Sequence, residues 1–269
     1  MKFAKFAKVL APVAAVALAT ALAGCDGAHI RINDSDGKKL SDLDLTGKAP
    51  TELVLAGPDE VRVTTGDKLA ITIDGDPEVA EHLRFTLDHD TLGVLREGEW
   101  KLGGNKTAIV NVTMPAPREV TLAGSGRILA AALAADAKVT IAGSGAVETA
   151  AVAADKLELT IAGSGTYRAA GSAKKLDLTV AGSGLAEMDA LKVDEAKITI
   201  AGSGSARFAS DGTVKADILG SGDVRVRGRA TCTVSSMGSG RLVCEPVNGN
   251  AASPPAPPAP PEAPEPPKQ

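Results

Sequence analysis

Aromatic side chains are nearly missing: one Trp, one Tyr and four Phe make up 2% of the 269 residues. A globule of this length needs bulky fillers to reach close packing. The apolar content, 44% of the chain, is carried by alanine, valine, leucine and isoleucine, and fits a thin aliphatic core better. Histidine is as scarce, with His29, His82 and His89 the only three. Nothing after residue 89 can therefore serve a serine nucleophile as its histidine partner. A basic excess is also absent, with 29 Lys and Arg against 33 Asp and Glu, which makes a poor nucleic-acid binder. The one extended apolar stretch, Val9 to Leu22, is short for a comfortable membrane span.

What the chain does have is repetition. Gly-Ser-Gly begins at Gly124, Gly143, Gly163, Gly182, Gly202, Gly220 and Gly238, at spacings of 19, 20, 19, 20, 18 and 18 residues. A period near 19 is the mark of a solenoid, in which a single repeat cannot bury its apolar side alone. Two, four and six residues before most cores lie apolar residues, as in Ile161, Leu159 and Leu157, or Val180, Leu178 and Leu176; the last coil has Ser236, Val234 and Cys232. Polar residues alternate with them. Period 2 predicts a strand with one face buried, and Gly-Ser-Gly then turns the chain, since glycine reaches positive φ without steric cost. A coil of about 19 residues at roughly 3.3 Å each allows about three short faces around a thin core.

Stacked, in-register coils make two further demands. The third residue after the second glycine should point outward, and in five consecutive coils it is Glu148, Arg168, Glu187, Arg207 and Arg225. The first four would form a ladder of alternating charge. Three residues before the turns lie Thr121, Thr140, Thr160, Thr179 and Thr199, a row of outward threonines.

Residues 1–24 form a secretion signal. Lys2, Lys5 and Lys8 supply its positive start, Val9 to Leu22 its apolar stretch, and Leu22-Ala23-Gly24-Cys25 its end. Small residues ahead of a cysteine resemble the bacterial lipoprotein signal, in which Cys25 is lipidated and becomes the new N-terminus. Lipid, not charge, then holds the protein to a membrane. Asp26 matches a retention signal of enteric lipoproteins, but that rule differs between bacterial groups, and inner or outer membrane stays open. Residues 25–47 are a polar tether with at most one weak strand pair. Residues 48–246 make one β-solenoid domain, in which the stretch from Glu52 to Thr121 supplies shorter, less regular strands that begin the solenoid and cover one end. A helical turn falls at 78–83. Residues 247–269 form a disordered, proline-rich tail, an extended spacer or docking peptide.

No catalytic constellation emerges. A nucleophile elbow needs Gly-x-Ser-x-Gly with histidine and acid partners, whereas here glycines flank each serine directly, in seven equivalent copies. Calcium-binding rolls place an aspartate regularly in the turn, and only Asp223 follows a Gly-Ser-Gly. Asp88-His89-Asp90 with His82 is read as exposed side chains and not as a metal site; no metal or cofactor is expected. Gly103-Gly104-Asn105-Lys106-Thr107 misses the phosphate-loop spacing. Arg225, Arg227 and Arg229 are read as charge that keeps a terminal coil from edge-to-edge pairing, the alternative being a basic contact strip. Cys232 and Cys244 fall on inward positions of the last coil. They form a disulfide across the core, or remain two buried thiols.

The repeats, preceded by Asp59-Glu60-Val61-Arg62-Val63-Thr64-Thr65-Gly66-Asp67 and Val112-Thr113-Met114-Pro115, resemble the bacterial head GIN domain, or autotransporter adhesin, family over about residues 53–246. The resemblance implies an all-β, right-handed parallel β-helix, export with frequent lipid anchoring, and adhesion or surface binding. It carries no catalytic residues. The expected protein is thus a non-enzymatic, lipid-anchored envelope solenoid. Its partners are the membrane, through the lipid at Cys25, and a polysaccharide or envelope protein, with no nucleic acid. Thr121, Thr140, Thr160, Thr179 and Thr199 are the candidate binding face, with the Glu/Arg ladder as a second surface. The rivals are a polysaccharide-degrading enzyme of similar shape and a purely structural spacer.

Overall fold

The structure, a computed structural model, describes residues 37–97 and 107–245. The signal, Cys25, the start of the tether, residues 103–106 and the proline-rich segment lie outside them. Among the described residues, sixteen strands join in one continuous sheet that winds as a parallel β-solenoid.

Winding does not start at an end. β1 (Glu52–Ala56) and β2 (Glu60–Thr65) form a coil with neighbours on both sides. β5 (Thr91–Arg96) and β6 (Ile109–Met114) stack on one side; β7 (Glu119–Gly124) and β8 (Arg127–Ala132) stack on the other. The chain therefore builds the outermost coil second and then returns to extend the opposite side. β3 (Ala70–Asp74) pairs antiparallel with β6, and β4 (Leu83–Asp88) antiparallel with β5. That reversal stops further parallel stacking at this end, as expected of an atypical terminal repeat. Between β3 and β4 lies α1 (Pro77–Ala80), a single turn that buries Val79. Its start is fixed by the Asp76 carboxylate, which accepts from the Glu78 N–H at 3.0 Å. β4 is a strand that the period-2 reading passed over. The tether is shortened from its C-terminal side: Lys38 exchanges backbone hydrogen bonds with Phe85, and Leu40, Leu43 and Leu45 pack against the core.

From β7 onward each coil lies on the previous one. β9 (Asp136–Gly143), β10 (Ala146–Gly163), β11 (Thr166–Gly182), β12 (Leu185–Gly202) and β13 (Ser205–Gly220) pair in parallel. β14 (Asp223–Arg227), β15 (Thr231–Gly238) and β16 (Arg241–Glu245) complete the stack. The long strands bend at corners marked by register shifts, such as that between Thr149 and Val152, so one strand serves more than one face.

The inward columns are buried as the alternation requires, including Leu157, Leu159 and Ile161 and their partners in neighbouring coils. After four successive glycine turns the core is filled by complementary sizes: Tyr167 with Ala169, Ala186 with Met188, Ala206 with Phe208, and Val224 with Val226. One large and one small residue, or two of middle size, give each coil a similar volume. That keeps a thin interior densely packed. Tyr167 and Phe208 are among the largest fully buried side chains, so the core is not wholly aliphatic.

The two glycines of each turn have different reasons. Gly163 has φ 120°, and a Cβ there would lie 2.5 Å from the Gly143 carbonyl oxygen. A Cβ on Gly165 would instead meet Ile141 Cγ2 at 2.5 Å. Between them, the Ser164 N–H donates to the Gly143 carbonyl at 2.9 Å. The serine backbone, not its hydroxyl, ties coil to coil.

Candidate functional site

The threonine row holds its register: Thr121, Thr140, Thr160, Thr179 and Thr199 are successive partners, and Asp217 and Ser235 continue the column. Four of them, Thr140 to Thr199, are half-buried. Thr121 is a correction, since it is 3% exposed and not outward on a free surface. Its partner on the other side is Val54, which with Ala56 and Leu95 forms a small apolar cluster apart from the main core. The open threonine row therefore begins at Thr140. Beside it runs a column of small residues, Ala142, Ala162, Ala181 and Ala201, which gives way to Leu219 and Met237. Leu219 is 48% and Met237 67% exposed.

Two charged columns border the row. One runs Glu119, Lys138, Glu158, Asp177, Lys197 and Lys215; the next runs Asp136, Lys156, Lys175 and Glu195. Lys138 bridges to Glu119 at 2.9 Å, Lys156 to Glu158, and Lys175 to Glu195 at 4.0 Å. Hydrogen bonding and charge from Glu158 raise the Lys156 ammonium above its usual range. These pairs lie at or near the surface and contribute about 0–1 kcal/mol each; Lys138–Glu119 and Lys175–Glu195 join neighbouring coils, whereas Lys156 and Glu158 belong to one strand. Toward the C-terminal coils a shallow depression of about 290 Å³ is lined by Glu195, Lys197, Thr213, Lys215 and Asp217. Its charges balance, and they converge on no buried acid or base.

On the next face the Glu/Arg ladder is also in register: Glu148, Arg168, Glu187, Arg207 and Arg225 are successive partners. The ion pairs within it alternate. Arg168 bridges to Glu187 at 2.7 Å, while Glu148 turns diagonally to Arg127 at 3.0 Å. Three arginines of the last coils are held by acids: Arg227 by Asp189, Arg229 by Asp211, and Arg241 by Asp223. Asp211 is kept below the usual carboxylate range by the Arg229 N–H and by Lys192.

Cys232 and Cys244 are joined in a disulfide between β15 and β16, with Cα atoms 6.7 Å apart. Both are only half-buried, and Val234 and Ser236 are exposed. The last coil's inward positions are therefore not core positions. No coil follows it among the described residues, so one side of it has nothing to pack against.

Three groups escaped the sequence reading. Asp59 is 1% exposed at the corner between β1 and β2. There its carboxylate accepts from Arg96 Nε at 2.9 Å and from the Ala108 N–H at 2.8 Å. It fastens the end of β5 and the chain just before β6, on either side of residues 98–106. Gly57, with φ 151°, begins the glycine column one coil earlier, where Pro58 and Asp59 stand in place of Ser-Gly. Finally, the Tyr167 hydroxyl donates to Thr149 Oγ1 at 3.2 Å inside the core, and burial pushes its pKa up to about 12.

Among the described residues no three His, Cys, Asp or Glu side chains gather so that they could hold a metal ion. Asp88 and His89 bond to each other at 2.5 Å in the turn between β4 and β5, where His89 takes φ 51°. No described helix is long and apolar enough to cross a membrane.

Several solved structures share this architecture. A "putative adhesin" from Bacteroides fragilis NCTC 9343 is 19% identical with a TM-score of 0.66, over 73% of this chain and 93% of that one. A "putative lipid binding protein" from Parabacteroides distasonis ATCC 8503 is 20% identical with a TM-score of 0.57, over 73% and 93%. A "putative adhesin" from Parabacteroides merdae ATCC 43184 is 20% identical with a TM-score of 0.54, over 74% and 93%. At these identities the likeness establishes the fold alone. No curated protein matches the chain. The family described as "Putative auto-transporter adhesin, head GIN domain" matches residues 49–230. That match spans most of the chain and all the glycine turns but the last, and the protein belongs to the head GIN domain family.

Proposed function

We propose that this is a lipid-anchored protein of the bacterial cell envelope that binds a repetitive polymer or a surface protein through its threonine face, without catalysis. The observation that supports this best is the row Thr140, Thr160, Thr179 and Thr199, in register beside Ala142, Ala162, Ala181 and Ala201. Identical hydroxyl and methyl groups recur along it at about 4.8 Å. Small side chains keep the surface flat, and bordering charges keep it wet. A fixed interval of identical groups suits a ligand that itself repeats, and the family's adhesin description points the same way. A polysaccharide-cleaving enzyme would need acids or bases convergent in a groove, and shape alone does not supply them.

The envelope address rests on the sequence: the three early lysines, the apolar stretch and Leu22-Ala23-Gly24-Cys25. In this reading residues 1–24 are removed, Cys25 carries the lipid, residues 48–246 form the binding domain, and 247–269 serve as a spacer. Replacing Cys25 by Ser should abolish incorporation of labelled fatty acid and move the protein to the soluble fraction.

The binding reading is tested by presenting the purified protein to immobilised envelope and host polysaccharides and to envelope extracts. Retention that drops at least tenfold in the Thr160→Glu, Thr179→Glu double variant supports it. Depolymerisation of any retained polysaccharide overturns the non-enzymatic part. Retention unchanged in the double variant, or no retention by any partner, overturns the threonine face.

A further inference from the structure

The two ends of the solenoid are protected very differently. At the N-terminal end the outermost strands run antiparallel to the stack and carry charge: Asp74 on β3, Arg84 and Asp88 on β4. Part of the β4 edge is also occupied, because Lys38 exchanges both backbone hydrogen bonds with Phe85. These are the ordinary means of keeping a strand edge from recruiting another chain.

The C-terminal end lacks them on the threonine face. β15 (Thr231–Gly238) is eight residues long and, among the described residues, pairs with β13 alone. Its sequence, Thr-Cys-Thr-Val-Ser-Ser-Met-Gly, holds no charge and no proline. Each strand stacked before it on this face, β7 and β9 to β13, carries at least one charged side chain. Charge has thus been dropped at the one position where a solvated edge most needs it. The apolar surface concentrates here as well, with Val234 47% and Met237 67% exposed. The disulfide to β16 holds this uncovered coil in shape.

We infer that β15 is an interface, and that its occupant is β15 of a second copy of this chain, paired antiparallel about a two-fold axis. Three observations favour that occupant. An uncharged strand has nothing with which to repel itself. The opposite end of the solenoid carries charged antiparallel strands, and a two-fold contact uses the same surface of both copies, so assembly stops at two and leaves no growing filament. The chain's own continuation is poorly suited to the place. At the 18-residue spacing of the last coils, residues 249–256 would lie over β15, and they include Pro254 and Pro255, which have no N–H to donate. The inference does not depend on the threonine face binding a ligand.

Sedimentation of the full chain carrying Cys25→Ser, with its disulfide intact, is the test. A concentration-dependent dimer is expected. Thr233→Glu should raise its dissociation constant at least tenfold, and so should Ser235→Lys. Thr233 lies opposite Lys215 and Ser235 opposite Asp217, so each new charge gains an opposite partner within the chain and the fold is kept. Unchanged circular dichroism and melting of the variants check this. In the dimer, the β15 amides should also exchange more slowly as concentration rises. A monomer at all concentrations, or a dimer indifferent to both substitutions, overturns the proposal. So does a monomer that dimerises only after residues 246–269 are removed, because that result makes the chain's own segment the occupant.

Discussion

The Asp59 carboxylate holds Arg96 Nε at 2.9 Å from a corner that is otherwise closed to solvent. Asp59 belongs to the coil from which winding proceeds in both directions, and Arg96 ends a strand of the coil beyond it. The same carboxylate accepts from the Ala108 N–H. The bond thus sets where the chain leaves one face and rejoins the next.

Removing that carboxylate should be expensive. Breaking one side of a buried, hydrogen-bonded ion pair costs about 3–5 kcal/mol. Asp59→Ala is therefore expected to lower stability by about 3 kcal/mol in urea unfolding. Replacing both Asp59 and Arg96 by apolar residues of similar size should recover part of the loss. A double variant no better than the single one would mean that the pair is not the main contributor.

The turns make a paired prediction. Gly163→Ala places a Cβ 2.5 Å from the Gly143 carbonyl oxygen at φ 120°, so both backbone strain and collision oppose it. A loss above about 2 kcal/mol is expected. Ser164→Ala should change stability by less than about 0.5 kcal/mol, because its exposed hydroxyl is not what joins the coils. Thermal unfolding of the two variants side by side checks the contrast.

Tyr167 predicts a loss of stability at high pH. The buried phenol holds its proton up to about pH 12, whereas in the unfolded chain it ionises near the ordinary value of 10.0. Below the lower value both states are protonated and the stability is whole. As pH rises between the two, only the unfolded state sheds the proton, and stability falls by on the order of 2–3 kcal/mol. The chain has one tyrosine, so near-ultraviolet phenolate absorbance reports it alone. The signal should appear together with unfolding, and Tyr167→Phe should flatten this part of the pH dependence.

Cys232 and Cys244 close a loop across 12 residues in the last coil. A disulfide over such a loop contributes about 2–3 kcal/mol on the chain-entropy account. Here that stability should be local. With Cys232→Ser and Cys244→Ser together, hydrogen exchange should quicken at β15 and β16 and remain slow at β10 to β12. Equal quickening through the whole stack would show that the end coil unfolds only with the rest.

Much of the stack was legible in the chain because it repeats. Period 2 told inward from outward at Leu157, Leu159 and Ile161, and the 19-residue interval placed Thr160 beside Thr179 without knowledge of either strand's ends. Burial was less legible at the margins. Thr121 obeys the same interval as Thr140 but lies beside Val54, in a stretch with no Gly-Ser-Gly to announce it as a coil. Cys232, Val234 and Ser236 alternate as a core strand does, yet among the described residues no further coil covers them. The tether's Leu40, Leu43 and Leu45 gave no periodic signal and still reach the core.

By itself, then, the sequence determined the coil: its length, its two-sided strands, its glycine corners and the register of its columns. All of these are local rules written out many times, and identical repeats can satisfy them only by lying on one another. The tertiary structure alone decided how the stack begins and ends. It put the coil of β1 and β2 inside the stack, drew Asp59 to Arg96, set Tyr167 against Thr149 and left Val234 and Met237 of β15 exposed. These depend on contacts between residues far apart in the chain or on what packs against an end coil, and no local pattern encodes either.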